Sequence, residues 1–422
     1  MKQLPKKKSK NELWAWAIIA FFGAFYLMGI TVGLPKDLPA LSDHEIEQML
    51  KARDNVMAYY ETSDKNVLDK KAAYWNKRRE PYLQARTGDS NRTFTMLANM
   101  KTHRGNQLIS YNYGMTYLLP LGAYLYGLDK LSIINVHSDV AFYLRNTPEV
   151  AKLFIANRVF IIIFTLLGMI VLYRIALRYV PPEYALLTII MYGLVPLVTV
   201  YAHDIKPWLY VNFFFLLAFY YGEKHYIRAS IFAGLAMGSM TTAGFVLIWI
   251  IMNNLDAKKI IIAATLCAGV FIITNPYWVL DWERVSFFLK QAYPQAPQSD
   301  ITYVFKGYDF IFGTFLFPLC LLSLRDEFKL GIFTLFYCLV ASYLGYYRLF
   351  FPCIALVTMC AMIPVAKKNF LLPFVALQLL LFVALDFGIL NYYINNKLPN
   401  NRFIQRYIDE NYKEKEASSA LS

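Results

Sequence analysis

Apolar stretches long enough to cross a bilayer recur along this chain from Trp14 to Tyr393, and they leave few other folds open to it. A hydrocarbon core of about 30 Å takes roughly 20 apolar residues as an α-helix, and only helices or closed barrels satisfy their backbone polar groups inside lipid. Candidate spans are 14–33, 155–173, 184–201, 208–221, 229–253, 260–274, 309–324, 330–345, 349–366 and 370–391. A shorter piece, 113–128, covers about 24 Å as a helix at ~1.5 Å per residue. It is either a short span or a helix lying at the interface. The expected architecture is an all-α polytopic membrane protein of about 11 apolar helices with a large first external loop.

The breaks between spans are of two kinds. One kind is short and basic: Lys6 to Lys8, Arg174 to Arg178, Glu223 to Arg228, Lys258-Lys259, Arg325 to Lys329, Lys367-Lys368. The other carries carboxylates and aromatics: Ser42 to Glu45, His203 to Lys206, Asn275 to Asp281, Tyr346 to Arg348. Lys and Arg mark cytoplasmic helix ends, so the second set should gather on the far face. If 113–128 crosses and 229–253 crosses once, Arg174, Arg178, Lys224 and Arg228 face outward. If 113–128 stays in the outer surface, they turn inward and 229–253 must go out and return. Its middle, Gly238-Ser239-Met240-Thr241-Thr242-Ala243-Gly244, is a suitable break, because glycine and hydroxyl residues weaken a continuous helix. The second topology obeys the positive-inside rule in every short loop and is preferred.

The chain then divides into a basic N-terminus with the first span (1–33), read as a signal anchor with a cytoplasmic N-terminus. Next come an external loop with juxtamembrane helices (34–154), a transmembrane bundle (155–391) and a polar tail (392–422). In the external loop, Ile46, Met49, Leu50, Val56 and Met57 have helical spacing over 43–60, with Ser42 or Asp43 as its cap. The net charge of +13 among 422 residues sits largely in the short loops and the Lys-rich start. With no zinc-finger or helix-turn-helix pattern it implies membrane lipids, not nucleic acid, as partners. The five cysteines, Cys267, Cys320, Cys338, Cys353 and Cys360, all fall in apolar segments and read as buried small hydrophobes rather than a disulfide framework.

The order of motifs resembles the GT-C class of integral-membrane glycosyltransferases. The branch in question holds protein O-mannosyltransferases and lipid A aminoarabinose transferases (glycosyltransferase family 39-like). Asp43-His44-Glu45 after the first span looks like the acidic pair of that family's first external loop, although His44 separates the two carboxylates. Tyr111-Asn112-Tyr113-Gly114 is similar to its element before a juxtamembrane helix. Asn157-Arg158 opens a span, His203-Asp204-Ile205-Lys206-Pro207 closes another, and Asn275-Pro276-Tyr277 to Asp281 resembles the Asn-Pro-Tyr loop. Tyr347-Arg348-Leu349-Phe350-Phe351-Pro352 resembles the Arg-Tyr-x-x-Pro segment. Relatives carry an acidic residue where Trp208 stands here, and residues 61–106 match no part of the family.

The resemblance implies a GT-C-like bundle in the inner or plasma membrane. It implies transfer of a sugar from a polyprenyl-phosphate donor to a lipid, glycan or protein acceptor at the external face. Such a transfer needs an acceptor hydroxyl made nucleophilic and a phosphate leaving group neutralised. Asp43 is the candidate base, with an N-cap carboxylate as the alternative. Glu45 is a second catalytic carboxylate or an ordinary first-turn residue. Asp204 and Lys206 contact substrate or metal and donor phosphate, or form an interfacial ion pair with a snorkelling lysine. Arg348 binds phosphate or a headgroup, and Arg158 is open between the two roles. Asn275, Tyr277 and Asp281 are candidates for the sugar pocket, with Trp278 and Trp282 stacking on it or forming an aromatic belt. A divalent cation, Mg²⁺ or Mn²⁺, is compatible with this chemistry, but no histidine spacing specifies one. The rival classes are a transporter or flippase of lipid-linked substrates, and a catalytically silent relative that binds polyprenyl lipids.

Overall fold

The computed structural model describes residues 10–31, 34, 41–62, 83, 90–102, 105–106, 111, 113–292, 313–343 and 351–395. Every regular element among them is helical. In chain order these are α1 (Lys10–Leu27), α2 (Asp43–Thr62), α3 (Ser90–Thr102), α4 (Met115–Lys130), α5 (Val140–Arg145) and α6 (Thr147–Ala176). Then come α7 (Pro182–Gly193), α8 (Pro196–Ala202), α9 (Trp208–Gly222), α10 (Tyr226–Ser239), α11 (Val246–Asn253) and α12 (Ala257–Thr274). The remainder are α13 (Tyr277–Leu280), α14 (Trp282–Ala292), α15 (Gly313–Asp326), α16 (Phe328–Tyr343), α17 (Phe351–Lys367) and α18 (Leu372–Asn395). A single apolar core joins residues of α1, α4, α6 to α12 and α15 to α18.

Three described helical stretches are long and apolar enough to cross a membrane: Thr147–Ala176, Ala257–Thr274 and Asn369–Asn391. A bent pair, Pro182–Gly193 with Pro196–Ala202, makes a fourth when counted as one span. The remaining apolar helices, such as Trp208–Gly222 and Pro352–Lys367, are shorter. Only 17% of the apolar window of α12 is buried. Ile261, Ile273, Leu380 and Phe387 point outward from α12 and α18. Exposed apolar side chains on helices of this length fit a nonpolar surround.

Two boundaries differ from the sequence expectation. Helix α6 begins at Thr147, not 155, because Pro148 and Glu149 favour a helical first turn and Glu149 holds Lys152 at 2.6 Å. The expected single span 184–201 is two helices bent by 61°. Pro196 opens the second half, and the carbonyl of Gly193, released at the bend, accepts the Tyr26 hydroxyl at 2.8 Å. A Cβ at Gly193 would lie 2.5 Å from the Phe22 ring, so the bend depends on that bare α-carbon. The expected break in 229–253 is present: α10 ends at Ser239, a 3₁₀ turn covers Thr241–Phe245, and α11 follows.

Helix α4 lies along one end of the bundle. Near its start, the Tyr117 hydroxyl donates to Ile205 O and lies 3.4 Å from Asn157 on α6. Just past its end, Asn135 N–H donates to Glu149 in the first turn of α6. Four linking residues span at most about 14 Å, too little to return from the far end of a helix of about 24 Å. Both ends of α4 therefore sit near the N-terminal part of α6.

The opposite end collects the basic breaks. Arg178 pairs with Glu223 at 3.2 Å and its guanidinium covers the Tyr220 ring at 3.8 Å; Tyr179 donates to the same Glu223. Asn254 bonds Gly222 O, Tyr184 bonds Asn369, and Lys367 pairs with Asp326. Helix α17 thus begins at the end away from these contacts. All five cysteines are buried and unbridged.

Candidate functional site

The segment 203–207 leaves α8 and is fixed from three sides. The His203 ring contacts Thr199 O through Nδ1 at 2.8 Å and Met28 O through Nε2 at 2.9 Å, tying α8 to the end of α1. Ile205 packs with Leu34, Val150 and Phe154, and its carbonyl accepts from Tyr117 at 2.9 Å and Thr93 at 3.2 Å. Between these anchors Asp204 Oδ2 and Lys206 Nζ are 3.0 Å apart, each side chain 5% exposed. Asp204 Oδ1 is buried and accepts no hydrogen bond. Lys206 Nζ also stands 5.7 Å over the Tyr201 ring. Arg158 is buried on α6 beside Asn157 and donates from Nη1 to Ile30 O.

Tyr111 and the segment 113–117 stitch this loop to the end of α12. Tyr113 meets Trp208 edge-on at 5.4 Å. Gly114 N–H donates to Ser239 O at 3.1 Å, and Met115 N–H donates to Asn275 Oδ1 at 2.8 Å. Asn275 is almost fully buried and reads as a positioning residue in this geometry. The Tyr111 hydroxyl donates to Asp281 Oδ2 at 2.8 Å; Asn106 Nδ2 donates to the same oxygen at 2.7 Å, and Arg284 Nε lies 3.5 Å from it. Burial, followed by the Asp281 carboxylate, pushes the Tyr111 phenol well above its ordinary pKa, so it remains a donor. Tyr277 starts α13 half-buried, its ring against Gly105. Beside this cluster an apolar groove of about 560 Å³ is lined by Met237, Leu247, Cys267, Phe271, Trp278 and Trp282. Trp278 packs edge-on to Phe271, while Trp282 is 58% exposed, as an interfacial belt residue would be.

Asp43 and Glu45 have different positions. Glu45 accepts from Ser42 N–H at 3.0 Å and Ser42 Oγ at 2.9 Å, while its own N–H donates to Ser42 Oγ at 3.3 Å. This is a capping box at the start of α2. Asp43 is 89% exposed on its side chain and accepts from Arg145 of α5 at 2.8 Å. Helices α2 and α5 share a small core of Leu41, Ile46, Met49, Ala52, Ala141 and Leu144, and Leu83 packs on both this core and the one around Ile205. Asp43 therefore belongs to the same end of the molecule, without a hydrogen bond to the Asp204–Lys206 pair. Arg348 lies outside the described residues.

Glu45→Gln preserves the capping geometry, since Gln serves equally at that position. The expected result is unchanged thermal stability and unchanged activity; loss of activity with a normal melting temperature would give Glu45 a chemical role.

The structure thus brings together Asp204, Lys206, Arg158, Asn275, Tyr277 and Asp281 through the stitching segment. Sequence reasoning missed Arg145, Tyr117, Thr93 and Arg284, which hold this end together. Arg145 and Arg284 are ordinary surface-type charges in sequence, and only tertiary packing assigns their partners. Among the described residues no three His, Cys, Asp or Glu side chains gather as metal ligands. Asp204, with a lysine already on one oxygen, does not by itself fit a resident divalent ion. Comparison of the chain with protein-family models, curated proteins and solved structures finds no match.

Proposed function

We propose that this protein is a multi-pass membrane glycosyltransferase that moves a sugar from a polyprenyl-phosphate donor to an acceptor at the external face. The carrying observation is the convergence of the 203–207, 275–284 and 111–117 segments at the end of the bundle away from the basic loops. A buried Asp204–Lys206 pair and an apolar groove lie at that end. In this reading the N-terminus is cytoplasmic and the shorter apolar helices complete a bundle of about 11, with α4 in the outer surface. The groove under Trp278 suits a polyprenyl tail: it is apolar, and its lining residues Trp278 and Trp282 flank Asp281 in sequence.

The chemistry follows from the groups at that end. The acceptor O–H gives its proton to a carboxylate, the acceptor oxygen bonds to the anomeric carbon, and the sugar–phosphate C–O bond breaks with its electrons leaving on the phosphate. Asp43 is the proposed base because it faces solvent, where an acceptor from outside arrives first. Lys206 and Arg348 supply positive charge for the departing phosphate. Asp43→Asn is isosteric and is expected to lower transfer by 10²-fold or more, as removal of a general base does, with a normal melting temperature. Retained transfer would reject Asp43 as base. If Asp204→Asn alone abolished it, the role would pass to Asp204.

One observation favours a second reading, a transporter or flippase of a lipid-linked substrate. Two apolar stretches are interrupted, Pro182–Ala202 and Tyr226–Asn253, and broken helices line the substrate paths of many transporters.

A further inference from the structure

Helix α18 carries a carboxylate where a membrane span should have none. Asp386 lies 14 residues past Leu372, about 21 Å along the helix, inside the stretch Asn369–Asn391 that is long and apolar enough to cross. It is 1% exposed, and neither carboxylate oxygen has a hydrogen-bond partner. Helix α18 packs on α8, and from there the Thr199 hydroxyl faces the Asp386 carboxylate closely enough to interact with it, short of a formed hydrogen bond. The Tyr26 phenol approaches from α1 while its hydroxyl is committed to Gly193 O, the carbonyl released at the bend between α7 and α8. Behind it, Tyr192 takes a hydrogen bond from Asn212 Nδ2, and Asn212 Oδ1 is a further buried acceptor without a donor. Helix α15 also packs on α18; its contact there is the Phe315 N–H to Gln378, and its charged Arg325 and Asp326 are at the basic end. His203, one turn beyond Thr199, has its ring nitrogens against the Thr199 and Met28 carbonyls, to one of which a neutral imidazole donates. Among the described residues no lysine or arginine neutralises Asp386.

A naked negative charge in that surround costs several kcal/mol or more, so the carboxylate needs a small cation. The polar groups that face it are oxygens, the Thr199 hydroxyl and the Tyr26 phenol, beside the irregular backbone of a broken span. Interrupted helices with a carboxylate are the usual way a bundle holds H⁺ or Na⁺ at depth. We infer that Asp386, at the bend between α7 and α8, is the centre of an intramembrane site for one monovalent cation, H⁺ or Na⁺. Its residues differ from those of the Asp204–Lys206 pair, and the inference does not depend on the transfer reaction proposed above.

The test uses the full chain in lipid nanodiscs, in choline chloride with and without added NaCl. Infrared difference spectra and thermal unfolding are recorded for wild type, Asp386→Asn and Thr199→Val. If the cation is H⁺, wild type shows a protonated-carboxyl carbonyl band that Asp386→Asn removes, that Thr199→Val shifts, and that NaCl leaves unchanged. If it is Na⁺, that band is present only without NaCl, and NaCl raises the wild-type melting temperature saturably but not that of Asp386→Asn. Should Asp386→Asn fail to fold, the Thr199→Val shift of the same band or of the Na⁺ response serves in its place. The inference is overturned if wild type shows neither a protonated-carboxyl band nor a Na⁺-dependent melting shift sensitive to these substitutions.

Discussion

Lys206→Met is expected to abolish sugar transfer and to destabilise the chain by about 3–5 kcal/mol, the cost of leaving one member of a buried pair uncompensated. Lys206 and Asp204 are 3.0 Å apart, each side chain 5% exposed, so solvent does little to screen the orphaned carboxylate. Asp204 Oδ1 already lacks a hydrogen bond, and removal of Lys206 would leave both oxygens bare. The segment cannot simply swing out, because Ile205 is held by Tyr117, Thr93 and an apolar cluster. The double variant Asp204→Leu/Lys206→Met removes both charges and should recover most of the lost stability, since buried pairs are often replaced by apolar side chains at little cost. It should not recover transfer. Melting temperatures in detergent and a transfer assay on the same samples separate the two effects. A Lys206→Met protein with wild-type stability would show that the pair is solvated, and one with wild-type transfer would remove Lys206 from the chemistry.

Gly114→Val is expected to cost about 3 kcal/mol or more, at the upper end of overpacking effects. A Cβ at Gly114 would lie 1.5 Å from the backbone oxygen of Gly238 and 2.7 Å from Asn275 Oδ1. Neither neighbour can rotate away: one is main chain at the end of α10, the other is the acceptor for Met115 N–H. The reciprocal position is as tight, with a Cβ at Gly238 falling 2.3 Å from Thr116 Oγ1. Separating these backbones would undo the joint between the 111–117 segment and the two loops it connects, so activity should fall with stability. Gly127→Ala in α4 is the control. Nothing lies within 4 Å of a Cβ there, and alanine should stabilise the helix by about 0.5–1 kcal/mol. Unfolding midpoints of the two variants measure the difference; a stable, active Gly114→Val protein would contradict this crossing of α4 and α10.

Much of this architecture was legible because it is written in periods and punctuation. The run of apolar segments specified helices, and the Gly238 to Gly244 stretch marked the break between α10 and α11. Several of the basic breaks lie together at one end of the described helices. The 61° bend was not legible as a break: Pro196 was visible, but a proline in an apolar run also opens or kinks a continuous span. What made it a break was tertiary, the Phe22 ring against Gly193 and the Tyr26 hydroxyl on the freed carbonyl. At the candidate site, the 203–206 and 275–281 motifs stood out as polar residues beside spans, and they were expected to gather on one face. Their mode of joining was not, because it runs through Tyr111, Gly114 and Met115, whose contacts are mostly single hydrogen bonds to distant chain. Ser42 and Glu45 show the opposite case: the three-residue spacing already fits a capping box, and the structure forms one. Asp386 was not singled out from the sequence: its isolation is a property of the packed bundle.

The activity proposed for the polar end of the bundle is transfer of a sugar from a polyprenyl-phosphate carrier. The most direct measurement adds radiolabelled polyprenyl-phosphate sugar and a mixture of lipid, glycan and peptide acceptors to the full chain reconstituted in sealed vesicles. The expected result is label on an acceptor, with Lys206→Met inactive and Glu45→Gln active. Label that crosses the bilayer still attached to its carrier, or that binds and is neither moved nor transferred, would contradict it.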